Sequence, residues 1–169
     1  MKRLSIIIIL AAACISAAAQ NSAAALLKRV EGKRLSFDFT LTTADKVPVK
    51  HNGSVLIDGS CYHVEDNGMD IWCDGRTKWT VDNAAKEVYV EDPGGEADIL
   101  ASPSTLLGNV SNLIAGETSV SGKYTGDGPG KGSTFVLTSI KTSEPKGNAD
   151  EFSFNTLSLK SPWVITDRR

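Results

Sequence analysis

Histidine is scarce in this 169-residue chain, which has only His51 and His63. Neither stands at a Cys, His or carboxylate spacing typical of a zinc or acid–base site. His63 is therefore expected to be a satisfied surface or half-buried side chain sharing a strand face with Cys61 and Glu65. No Gly-x-Ser-x-Gly or other nucleophile signature is present, so no catalytic centre is read and the chain is not expected to be an enzyme. Cysteine is also rare: Cys14, Cys61 and Cys73, with no Cys-x-x-Cys, which argues against a redox motif. Gly130-Lys131 is not a phosphate loop, because Thr125 and Gly132 stand where Gly and Ser or Thr are needed. Asp66-Asn67-Gly68-Met69-Asp70 lacks calcium-loop spacing and the closing Glu. No metal or cofactor is expected. Basic residues do not exceed acidic ones (18 against 20), which sets nucleic-acid binding aside.

The apolar run from Leu4 to Ile15 is too short to span a bilayer as a stable helix. It follows Met1-Lys2-Arg3 and precedes Ser16-Ala17-Ala18-Ala19, the pattern of a secretory signal over residues 1–19. Cleavage after Ala19 leaves residues 20–169 as one domain with 16 basic against 20 acidic residues, a net charge near −4. Leu10-Ala11-Ala12-Ala13-Cys14 loosely resembles a lipobox, although Ala11 stands where Leu is usual. Lipid anchoring at Cys14 is thus the minor alternative to a soluble exported protein.

The stretch Cys61 to Val90 reads at period two as short strands joined by tight turns. A three-residue turn at Asp66-Asn67-Gly68 would place Glu65 opposite Met69, His63 opposite Ile71 and Cys61 opposite Cys73. In an oxidising compartment that pair is expected to form a structural disulfide, contributing ~2–3 kcal/mol for so short a loop. A two-residue turn at Asn67-Gly68 would instead set Cys61 against Asp74, and two buried free thiols are the other alternative. A second turn falls at Asp82-Asn83-Ala84-Ala85.

Elsewhere, Ser22 to Glu31 is helix-prone, capped by Ser22 and stopped by Gly32. Phe37, Phe39 and Leu41 alternate with polar residues as one dry strand face, and Gly53 to Asp58 follows as a partner strand. Ser102-Pro103 opens a second expected helix that runs through Ile114 to Gly116, with Leu106, Leu107, Val110, Leu113 and Ile114 as its apolar stripe. Thr125 to Ser133 is a glycine-rich connector and Thr134 to Ile140 a strand. Phe152 to Phe154 and Leu157 to Leu159 read as strand pieces of opposite parity, and Trp163-Val164-Ile165 closes the chain. The fold class is mainly β with some α. About seven antiparallel strands form a curled sheet or half-open barrel, with two short helices over its concave face. Room for a cavity and a dry core filled by Phe37, Phe39, Trp72, Trp79, Phe135 and Phe154 fit this pattern equally well.

Asp74-Gly75-Arg76-Thr77-Lys78-Trp79-Thr80-Val81-Asp82, followed by Glu87-Val88-Tyr89-Val90, resembles the Asp-Gly-Lys-Thr-x-Trp signature of periplasmic outer-membrane lipoprotein carriers, the LolA-like family. The Leu26-Leu27 helix, Phe37-x-Phe39, Gly53 to Ile57, Ser102-Pro103 with Leu106-Leu107, Phe152-x-Phe154 and Val164 to Asp167 follow the family's order over most of the mature chain. Two features depart from it. Ser60 to Val64 holds no Arg where the family has a lid-contacting one, and the stretch between Leu137 and Phe152 is short.

The resemblance implies a half-open barrel lidded by helices in a monomeric periplasmic protein of a Gram-negative bacterium. It also implies a cargo of acylated lipoprotein or other lipid, taken from an inner-membrane donor to an outer-membrane acceptor. The expected ligand cavity is a lid of Leu106, Leu107, Val110, Leu113 and Ile114 over Phe37, Phe39, Leu41, Val55, Ile57, Trp79 and Val88. Each buried acyl CH₂ gains ~0.8 kcal/mol and each lid side chain ~1.5–3 kcal/mol, so lid and cargo could compete for one face. The alternative is a structural or sensory module with a filled core.

Overall fold

The computed structural model describes Ala25 and residues 28–93, 110–126 and 131–169. The expected signal segment with Cys14, Leu26 and Leu27 of the first expected helix, the start of the second expected helix with Leu106 and Leu107, and residues 127–130 of the connector lie outside these residues.

Alternation at period two builds most of what is described. In β1 (Arg34–Thr42), Leu35, Phe37, Phe39 and Leu41 point one way, while Arg34, Ser36, Asp38 and Thr40 point the other. Its antiparallel partners are β2 (Lys50–Asp58) and β9 (Thr134–Ser143). The chain then runs as a meander through β3 (Cys61–Asp66), β4 (Met69–Cys73), β5 (Lys78–Asp82) and β6 (Glu87–Glu91). It resumes with β7 (Val110–Ala115) and β8 (Val120–Tyr124), and ends in β10 (Val164–Asp167). All ten strands among the described residues join one sheet in the order β10-β6-β5-β4-β3-β2-β1-β9-β8-β7, which is not closed into a barrel. Its pairs are antiparallel except β10 with β6, which run parallel, so the sheet is mixed rather than antiparallel throughout.

Side chains of the meander's turns fix their geometry. Asp74 Oδ1 accepts from the backbone N–H of Arg76 and Thr77 at 2.8 Å each, and Gly75 takes φ +84°. The Asp-Gly-x-Thr run is thereby a turn-forming device between β4 and β5. Asp82 Oδ1 does the same for Ala84 and Ala85 at the turn expected there.

The β3–β4 turn corrects the expected register. Asn67 (φ +46°) and Gly68 (φ +93°) form a two-residue loop, and both left-handed conformations match the primed turns that suit strand twist. Tyr62 therefore faces Cys73, His63 faces Trp72 and Glu65 faces Asp70. Since facing residues share a sheet face, Cys73 lies with Tyr62 on one face and Cys61 with His63 on the other. The expected disulfide is not formed: the two cysteines are not bonded to each other, and Cys73 is buried with its Sγ donating to the Ser60 carbonyl at 3.8 Å.

The second expected helix is also corrected. Residues 110–115 are strand β7, and Gly116 stops no helix but donates its N–H to the Ser119 carbonyl in the hairpin turn. β7 is bulged between Ser111 and Ile114, with Asn112 at φ +53°. The extra residue lets Val110 and Leu113 share one face three residues apart, a spacing that also fits a helix. Of the first helix, Ala25 and residues 28–30 are helical.

The expected strand pieces near the C-terminus are 3₁₀ turns at Ala149–Phe152 and Thr156–Ser158. Asn155 Oδ1 accepts from Leu157 N–H at 3.1 Å, diverting that backbone from a ladder. Residues 144–163 thus form a strap between β9 and β10.

Candidate functional site

Register carries one apolar face across β7, β8, β9, β1, β2, β3 and β4. Its buried members are Leu35, Phe37, Val55, Ile57, Tyr62, Val64, Cys73, Val120, Phe135 and Ile140. Phe39, Leu41, Ile71, Val110, Leu113, Ala115 and Leu137 pack against them half-buried. Two glycines in the strands make room for its rings. A Cβ on Gly53 would sit 1.7 Å from the Glu65 carbonyl oxygen and 2.7 Å from the Phe39 ring. One on Gly122 would sit 2.5 Å from Val110 Cγ1 and 3.1 Å from Phe135. Among the described residues, Val30 is the one outside the sheet that packs on this face.

The apolar surface changes side between β4 and β5. The register that starts at Ile57 runs through Tyr62 and Cys73 to Lys78 and Glu91, so on β5 and β6 this face carries charge. Lys78 and Glu91 pair at 3.1 Å, and that contact holds the Glu91 carboxyl below its usual range. Tyr89 O–H donates to Glu87 at 2.5 Å, which pushes the phenol up.

Of the twelve expected cavity residues, Phe37, Phe39, Leu41, Val55, Ile57, Val110 and Leu113 are gathered on the apolar face. Trp79 and Val88 are not. Val88 faces Val81, and Trp79 faces Trp72, on the second face of the sheet. Ile114 is 69 % exposed on that second side of β7, opposite Ser121. Residues the sequence reading passed over include Tyr62, Val64, Val120 and Leu137, although Val120-Ser121-Gly122 and Phe135-Val136-Leu137 carry the same alternation as β1.

From β4 to β6 the second face is covered by the strap. Val81, Val88 and Val90 form its core with Trp72, Trp79, Phe154, Leu159 and Trp163. The strap is clamped at its start: Lys146 N–H donates to Asp58 Oδ2 at 2.9 Å, and Glu151 takes two hydrogen bonds from the buried Arg34 guanidinium. Arg34 also reaches Asp58 at 3.3 Å and lies 5.6 Å from the centroid of the fully buried Phe152 ring. Burial opposes the charged guanidinium, but its hydrogen bonds to Glu151 outweigh that and raise its pKa; the same contact lowers that of Glu151.

Beside the strap, a groove of about 310 Å³ is lined by Ser36, Asp38, Ser54, Leu56, His63 and Lys141. Ser139 lines it too, at φ +55° where the β1–β9 register shifts, while the next residue, Ile140, is buried in the first core. His63 stacks on Trp72 with ring centroids 3.5 Å apart, and its burial lowers the imidazole pKa. Its ligand atoms and those of Glu65 and Asp70 lie within 4.8 Å of one another. Linear spacing hid this set, because the expected three-residue turn would have put Asp70 on the opposite face.

Compared with known proteins, the chain matches no family model and no curated sequence. No helix among the described residues is long and apolar enough to cross a membrane.

Proposed function

We propose that this protein is a periplasmic carrier that holds the acyl chains of lipoproteins, or of another lipid, against its apolar face and delivers them toward the outer membrane. The unclosed sheet would act as the wall of a half-open barrel. The observation that carries this reading is the breadth of the first apolar face, which runs continuously over seven strands and keeps Phe39, Leu41, Val110 and Leu113 half-buried at its margins. The smaller apolar cluster on the second side of β4 to β6 is occupied by the chain's own strap, Phe154 and Trp163 among its residues. A long acyl chain laid on such a surface gains roughly 10 kcal/mol at ~0.8 kcal/mol per CH₂, enough to hold cargo in water. Half-buried Phe39, Leu41, Val110 and Leu113 are the side chains a cargo would meet first.

Burial favours a second reading, a structural or sensory module with a filled core. Val55 and Val120 are each only 3 % exposed, so these positions are already packed. Mass spectrometry of material extracted from the purified full-length protein separates the two. The carrier reading expects a co-purifying acyl lipid approaching one molecule per chain. Extraction of no acyl species, repeated after incubation with lipid vesicles, would leave the module reading.

A further inference from the structure

The second face holds a cluster unrelated to acyl carriage. Glu65 and Asp70 stand directly opposite each other across β3 and β4, an arrangement in which like charges repel. Each carboxylate is oriented by a neutral donor through one oxygen. Ser54 Oγ donates to Glu65 Oε2 at 3.2 Å, and Asn83 Nδ2 donates to Asp70 Oδ2 at 2.9 Å. The remaining oxygens, Oε1 and Oδ1, are left for another partner. His63, two residues before Glu65 on the same face, is held flat against Trp72 at a 20° interplanar angle. Its Nε2 is buried and has no hydrogen-bond partner, a condition that buried polar atoms rarely tolerate.

We propose that His63, Glu65 and Asp70 form a binding site for a divalent transition metal of the zinc type. One positive ion would relieve the facing carboxylates and give the imidazole a partner. An imidazole with two carboxylates suits Zn²⁺ better than Mg²⁺ or Ca²⁺, which take oxygen ligands. Bonds of about 2.0–2.1 Å in a tetrahedron set ligand atoms about 3.4 Å apart. Ligand atoms now within 4.8 Å of one another would have to draw together on ion binding, a movement that falls to the exposed Glu65 side chain first. Three protein ligands leave one coordination position for water, and the exposed Glu65 opens the set to solvent. Ser54 and Asn83 are the outer-shell groups that fix the carboxylates.

The test is calorimetric titration of the full-length protein with Zn²⁺ after chelator treatment, with Co²⁺ as a spectroscopic substitute. The site predicts one saturable Zn²⁺ per chain, bound at least tenfold more weakly by His63→Gln and by Asp70→Asn. His51→Gln should bind as the parent does, because His51 is engaged elsewhere with Asp66 at 3.0 Å. The Co²⁺ spectrum should show no thiolate charge-transfer band, since Cys61 lies outside the set. Absence of saturable binding, unchanged affinity in Asp70→Asn, loss of binding in His51→Gln or a thiolate band would each overturn the assignment. Should His63→Gln fail to fold, Asp70→Asn decides alone: its thermal midpoint should not respond to Zn²⁺, whereas the parent's should rise.

Discussion

Arg34 shows how single side chains hold the strap. The residue is 7 % exposed, and its guanidinium lies between Asp58 and Glu151, one from β2 and one from the strap. A buried charge that loses its counter-charge is costly, so Arg34→Ala, which leaves the buried Asp58 with only the Lys146 N–H, removes more stability than the pair itself supplies. The pH dependence follows from Glu151, whose carboxyl the Arg34 hydrogen bond holds below the usual range. A lowered carboxylate adds stability that is present above its unfolded pKa and is lost as pH falls through the folded value. The urea midpoint should therefore drop in acid, starting near pH ~4.3 where an unperturbed Glu titrates. Glu151→Gln should lower the midpoint at pH 7 and flatten that drop. Identical acid limbs in both proteins would show that the clamp does not couple to folding. At this scale part was legible: alternation places Phe37, Phe39 and Leu41 on one face, and they are there. The clamp was not, because its partners Arg34, Asp58 and Glu151 are up to 117 positions apart.

Elements were read well where local chemistry decides and poorly where one residue changes parity. The β5–β6 turn came from Asp82, whose carboxylate organises it regardless of context. The β3–β4 turn did not, because Asn67-Gly68 closes a two-residue loop one position away from the register that the cysteines suggested. A slip of one residue reverses the face of every side chain, which broke the expected disulfide and brought Asp70 to Glu65. β7 failed for a related reason: a bulge at Asn112 copies the three-residue spacing of a helix face. The strands themselves depend on close approach at Gly53. Gly53→Ala should force β2 from β3 and cost ~3 kcal/mol, from overpacking against Phe39 and the Glu65 carbonyl. Gly59→Ala, at φ +63° with nothing within 4 Å of its added Cβ, should cost only ~1–2 kcal/mol. Chemical denaturation of the two variants checks the order, and a larger loss for Gly59→Ala would contradict this packing.

At the scale of the whole molecule, the described residues form a sheet whose greasy side changes over between β4 and β5. Trp79 and Val88 were grouped with Phe37 and Val55 because each alternates correctly within its own strand. Only the ladder across four strands reveals that they lie on opposite faces. The strap that covers the second face from β4 to β6 starts in the polar stretch after β9 and crosses to the far edge as a parallel strand, which no local pattern announces. This division of labour makes the acyl-carrier proposal specific about where cargo sits. The most direct measurement is titration of the full-length protein with a long-chain fatty acid bearing an environment-sensitive fluorophore, alongside Phe39→Asp and Thr40→Asp. These neighbours on β1 point to the apolar and the second face respectively. Saturable binding that Phe39→Asp weakens at least tenfold and Thr40→Asp leaves intact is the predicted result; no binding, or equal affinity in all three proteins, would contradict it.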